Sequence, residues 1–160
     1  MDKLRKLESS VIERFNGYLE AAQHAFIKGE YEVSLEAAFF EIADARITDE
    51  DVVVAAYQDL NPIEYQRECS LNQMIARVHG TLSLPRRMWN SDCFRILDQL
   101  EENLRDGYWQ NLEACFDYKN ARIVELGYHV PYVNLDGGFT FVLYALDKSK
   151  CALLVGNVCD

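Results

Sequence analysis

Positive charge is scarce in this chain. Sixteen Lys and Arg stand against 26 Asp and Glu, a formal net charge of −10 at pH 7. Such a balance repels phosphate, so nucleic acid is not an expected partner. A basic protein is, with charge steering the encounter. Long apolar runs are also missing. None approaches the roughly 20 residues of a membrane-spanning helix, and no membrane role is expected. The N-terminus, Met1-Asp2-Lys3-Leu4-Arg5-Lys6, leads into an amphipathic pattern, without the apolar core of a secretory signal. The five cysteines, Cys69, Cys93, Cys115, Cys151 and Cys159, are odd in number and widely spaced, with no C-x-x-C. That is the pattern of reduced thiols, and the expected compartment is the cytoplasm.

Catalytic and cofactor signatures are absent as well. No G-x-S-x-G, P-loop, G-x-G-x-x-G or H-E-x-x-H occurs. No cofactor is expected. Nor is a metal: Cys151 and Cys159 are too far apart on a strand to share one ion, and His24, His79 and His129 are scattered. Asp98 and Glu102 share a helix face but read as solvated. Arg86 and Arg87 beside Trp89 are too few for nucleic-acid binding on so acidic a chain.

What is present is a folded composition. The chain has 160 residues, 49% hydrophobic and 12% aromatic. That fits one globular domain over residues 1–160. Leu4, Leu7, Val11, Phe15, Tyr18, Ala22 and Phe26 recur at helical spacing, predicting a first helix over 2–27 with Lys28-Gly29 as its end. Residues 30–46 are rich in helix formers, with Leu35, Ala38, Phe39 and Ile42 on one face. Thr48 and Asp51 form an approximate capping box for a third helix, 49–60, although Val52-Val53-Val54 also suits a strand. Asn61-Pro62 opens a fourth, running to His79 and Gly80. Ser91 caps a fifth that ends at Asp106-Gly107.

Beyond Gly107 the period changes. Residues 109–118 and 121–127 read as two strands about Lys119-Asn120, with a helix over 108–116 as the alternative. Asp136-Gly137-Gly138 marks a turn. Residues 139–146 and 151–158 read as strands about the loop 147–150. In the first of these, Phe139, Phe141 and Leu143 face one way and Thr140, Val142 and Tyr144 the other. The expected fold is therefore α+β: about five N-terminal helices, then a mainly antiparallel C-terminal sheet of three or four strands.

Charge is concentrated in one place. Gly29 to Gln66 holds ten acids and one base, Arg46, so the rest of the chain is nearly neutral. Like charges at helical i, i+4 spacing are mildly destabilising, which makes this imbalance a candidate for function. The candidate partner-binding residues are Glu36, Phe40, Glu41, Asp44, Asp49, Glu50 and Asp51. Phe40 among the acids has the composition of an anchor with a charged rim.

In general character, small, acidic and α/β, the chain resembles bacterial toxin-neutralising immunity proteins. This is a resemblance of profile that transfers no residue. It implies a non-enzymatic inhibitor that neutralises a basic effector through an acidic helical surface. Two alternatives are a homo-oligomeric adaptor, such as a homodimer, assembled through the apolar sheet, and a small enzyme with an unrecognised cysteine site.

Overall fold

The computed structural model describes residues 2–26, 32–58, 63–84, 90–127 and 138–159. Its strands are β1 (Leu4–Lys6), β2 (Glu32–Ile42), β3 (Gln66–Cys69), β4 (Arg122–Leu126), β5 (Phe139–Tyr144) and β6 (Lys150–Cys159). Between them lie α1 (Ser10–Phe26), α2 (Asp49–Tyr57), α3 (Leu71–Thr81) and α4 (Phe94–Cys115). All six strands join one sheet in the order β1-β2-β6-β5-β4-β3, and every neighbouring pair is antiparallel. The class is α+β, as expected. The arrangement is not helices followed by a sheet: among the described residues, four α-helices are interleaved with six strands.

The largest correction is β2. The segment read as a second helix is a strand, paired with β6 from Glu32↔Cys159 to Glu41↔Lys150. Val33, Leu35 and Phe39 face one core cluster, while Phe40 belongs to the other. Its burial alternates from Glu32 to Glu36, but Ala37 and Ala38 and then Phe39 and Phe40 are apolar on both faces, which breaks the period-2 signal. Glu, Ala and Leu then looked helical, and tertiary pairing overrode that propensity. The start of the expected first helix is likewise a strand. Leu4, Arg5 and Lys6 pair with Ile42, Glu41 and Phe40, and the helix begins at Ser10.

The two sheet faces are covered unequally. On one, α1, α3 and α4 pack Phe15, Leu19, Met74, Val78, Tyr108 and Leu112 against Phe39, Phe141 and Leu154. On the other, the nine-residue α2 sets Val52 and Val53 over Phe40, Val142 and Leu153. The expected facing of β5 holds: Phe139, Phe141 and Leu143 point to the first cluster, Val142 and Tyr144 to the second.

Local signals explain the remaining boundaries. The Thr48–Asp51 capping box is fully formed at the start of α2. The fourth helix begins later than expected, at a second box made by Ser70 and Gln73, and the residues before it form β3. Asn90, not Ser91, accepts the capping hydrogen bond of the short 3-10 turn before α4. Gly107 does not stop α4, which runs on to Cys115, so the helical alternative for 108–116 is the one adopted. A Cβ on Gly107 would lie 2.7 Å from the Tyr18 ring, so this glycine permits close packing of α1 on α4. The expected Lys28-Gly29 end, the Asn61-Pro62 start, the 85–89 loop with Arg86, Arg87 and Trp89, His129 and the Asp136-Gly137 turn lie outside the described residues.

Candidate functional site

The acids singled out in the sequence fall on β2, on the connection after it and on the first turn of α2. Three elements bring most of them together. Strand β1 lies along the end of β2, where the Lys3 carbonyl accepts from the amides of Ala43 and Asp44. The Lys3 ammonium reaches across to Asp51 at 3.1 Å. Arg5 pairs with Glu41 directly opposite it in the ladder. Glu41 and Asp51 thus flank β1 from opposite faces of the sheet, Glu41 on the side of Phe39 and Asp51 on the side of Phe40, and Asp49 and Glu50 share the first turn of α2 with Asp51.

Each carboxylate is held by a donor of this chain. Asp44 accepts from the Arg46 guanidinium at 2.9 Å, and that hydrogen bond holds its carboxyl down at about 2. Asp51 accepts from the Thr48 amide at 2.9 Å, which lowers its pKa, with Lys3 adding to the effect. Tyr144 donates to Asp49, and Gln66 donates to Glu50 at 3.0 Å. Burial, then the Asp49 hydrogen bond, pushes the Tyr144 phenol well above its ordinary range. Glu36 stands apart from the others, further along β2, and accepts from the Tyr57 hydroxyl.

Phe40 occupies a different position from these acids. It is 1% exposed and packed in the core beneath α2. It forms the floor of the site, not its surface. The partners Lys3, Arg5, Gln66, Tyr57 and Tyr144 are what sequence reasoning missed. Long-range pairing brings each of them in, and only the Lys3/Arg5 alternation around Leu4 carried a local trace of it.

Beside the acids lies a cleft of about 440 Å³, lined by Ile42, Ile47, Arg122, Tyr144, Leu146 and Lys148. The Arg122 guanidinium sits 4.6 Å from the Tyr144 ring centroid and pairs with Glu68 at 3.1 Å. Cation–π stacking and the ion pair both fix it in place.

Three of the thiols, Cys69, Cys115 and Cys151, are poorly placed for nucleophilic work. Cys151 is fully buried in β6, and burial pushes its pKa up to about 12. Burial also raises Cys69 and Cys115, the latter donating to the Val11 carbonyl at 3.3 Å. A nucleophilic cysteine needs the opposite shift. Among the described residues, no helix is long and apolar enough to cross a membrane.

These features define an α+β protein with an acidic patch where β1, β2 and the start of α2 meet. Comparison with solved structures gives the fold a likeness: citrus MAF1, in two crystal forms. One aligns with a TM-score of 0.57 and 11% identity over 94% of this chain and 99% of that one. The other gives 0.56 and 11% over 93% and 98%. The fold is MAF1-like, and at this identity the likeness concerns fold alone. No protein-family model and no curated protein matches the sequence. Nothing in these comparisons supports the resemblance to immunity proteins.

Proposed function

We propose that this chain is a non-catalytic protein-binding module that engages a basic protein through the acidic patch around β1 and the start of α2. One observation supports the reading: four carboxylates, Asp44, Asp49, Glu50 and Asp51, lie on the connection after β2 and the first turn of α2, each accepting from a donor of this chain, with Glu41 beside Arg5 on the other face of the same corner of the sheet. Their cationic partners are replaceable. The side chains of Arg5 and Arg46 are 74% and 88% exposed. Exposed ion pairs contribute little, so a lysine or arginine of a partner exchanges for them at small cost. Asp44, Asp49 and Asp51 meanwhile stay where the Arg46 amide, the Tyr144 hydroxyl and the Thr48 amide hold them, which lowers the ordering cost of binding.

The test is affinity capture from the native host at two salt concentrations, with the parent chain and with Glu41→Lys/Asp44→Lys/Glu50→Lys. None of these three sites contributes to the core. The parent is expected to retain a basic protein at low salt and the triple variant to lose it. With the retained protein purified, association is expected to slow at least tenfold in the variant, with a shallower salt dependence. Equal retention by both chains would sink the reading.

A further inference from the structure

Strand β2 is eleven residues long, but β1 pairs only with Phe40 to Ile42. The Leu7 amide adds one more hydrogen bond, to the Phe39 carbonyl, and the chain then turns into α1. Among the described residues, no strand lies against Glu32 to Ala38 on that side. The direction of the backbone groups follows from the hydrogen bonds present. Leu35 N–H and Phe39 C=O point away from β6, the first to the Gln23 side chain at 3.2 Å and the second to Leu7. Ile42 N–H points the opposite way, to Ser149. Alternate residues of a strand share a direction. Val33 and Ala37 therefore turn their backbone donors and acceptors outward, and Gln23 plugs the position between them.

A cavity of about 270 Å³ sits on this edge, between Asn16 and Leu19 of α1 and Ala56 and Tyr57 of α2, with Ala37 and Ala38 as its small-residue wall. The two faces of the open stretch differ. Val33, Leu35 and Ala37 face the core side under α1, whereas Glu32, Ser34 and Glu36 face the α2 side, where both glutamates are exposed. Lys6 stands at the β1 end of the cavity.

We propose that the edge of β2 from Glu32 to Ala38 takes up an extended segment of a protein partner as an added antiparallel strand, with Lys or Arg on one face and apolar residues on the other. The backbone hydrogen bonds give the pairing, as in strand addition to other open sheet edges. The two glutamates select the charge, because opposite charges across a strand pair are favourable and like charges are not. The same rule disfavours a second copy of this chain, whose own Glu32 and Glu36 would meet these. The proposal rests on the reading of the protein as a binder of basic proteins, and it names a second surface for that binding.

The test uses a blocked seven-residue peptide of alternating valine and lysine, and its counterpart with glutamate for lysine. Binding to the full chain is followed by fluorescence anisotropy and amide hydrogen exchange. The lysine peptide is expected to bind at least tenfold more tightly than the glutamate peptide and to protect the Ala37 amide. Ala37→Pro removes that outward donor, which an edge strand tolerates, and is expected to weaken binding at least tenfold with an unchanged far-UV spectrum. Should the proline variant fail to fold, Glu32→Lys/Glu36→Lys gives the independent measure, reversing the preference between the two peptides. Gln23→Ala unplugs the Leu35 amide and is expected to tighten binding.

Equal binding of both peptides, or binding unaffected by Ala37→Pro in a folded chain, overturns the proposal. So does a stable dimer that Ala37→Pro converts to monomer, which would make a second copy the occupant. A basic host partner that survives Ala37→Pro but is lost from the Glu41/Asp44/Glu50 variant overturns strand addition and leaves the acidic patch standing. One that survives both overturns both.

Discussion

The two faces of the sheet are built on different plans. The face under α1, α3 and α4 is deep and aromatic: Phe15 packs edge-on to Tyr108 at 5.3 Å, and Trp109 stands 5.1 Å from both Tyr108 and Tyr118. The face under α2 is one short helix thick, mostly aliphatic, and rimmed by carboxylates with tyrosine, lysine and arginine donors. The first face carries the larger buried cluster. Charge on the first face is buried and paired, Glu125 with Arg67 and Arg77 and Glu101 with Arg105, whereas the carboxylates around α2 sit at the rim. The difference teaches that a deep layer takes an acid only with its partner beside it, while a rim takes acids with exposed ones.

That contrast is breakable, and the largest effect is expected on the deep face. Phe15 is fully buried, and Phe15→Ala is expected to lower the unfolding free energy by about 3–5 kcal/mol. Val53→Ala on the thin face, also fully buried, is expected to cost about 2 kcal/mol. Urea denaturation of both variants checks the difference. Equal losses, despite the smaller side chain removed at Val53, would mean that the thin face is packed more tightly than the deep one. Next comes Gly107→Ala. Alanine favours a helix by about 1 kcal/mol over glycine. Here its Cβ meets the Tyr18 ring, and overpacking of that kind costs about 1–3 kcal/mol. A net loss is expected in thermal unfolding, and a net gain would show that α1 and α4 can part without penalty.

Smaller effects sharpen the picture at α2. Thr48→Ala removes half of its capping box and is expected to cost about 1 kcal/mol, read as a shift in the urea midpoint without a change in slope. The pH dependence of the same cap is the subtlest test. The folded pKa of Asp51 is lowered, first by the Thr48 amide, so its contribution is present above the ordinary carboxylate range. It is lost as pH falls through the folded value. The stability gap between the parent and Asp51→Asn is therefore expected to be open at neutral pH and to close on acidification below about pH 4. A gap independent of pH would detach the carboxylate charge from the cap.

Much of this fold was legible in the sequence where one residue could report on its own neighbours. The Thr48–Asp51 box, the alternation from Phe139 to Tyr144 and the turn before β6 are local signals that appear in the structure, the turn spanning 145–149 with Lys150 already in β6. Strand β2 was not legible, because its evidence is non-local: only the ladder with β6 tells Glu36, Ala37 and Ala38 that they are extended. Gly107 misled for the same reason, since its cause is Tyr18 on another helix. The charge of the candidate site could be read directly. Its shape could not, because Lys3, Gln66 and Tyr144 arrive from distant parts of the chain, and Phe40 proved to lie beneath the acids.

Strand β6 has a consequence in time. It is the inner neighbour of both β2 and β5, and its ladder with β2 joins residues more than roughly a hundred positions apart, the kind of pairing that folds slowly. During synthesis the β2 segment is made well before β6, and of its ladder partners only the three residues of β1 precede it. Until β6 is made, the segment lacks the ladder that holds it extended, and the helical propensity of its Glu, Ala and Leu is unopposed. Glu32 and Glu36 interrupt its apolar residues with charge, the sequence device that disfavours association of an unpaired segment.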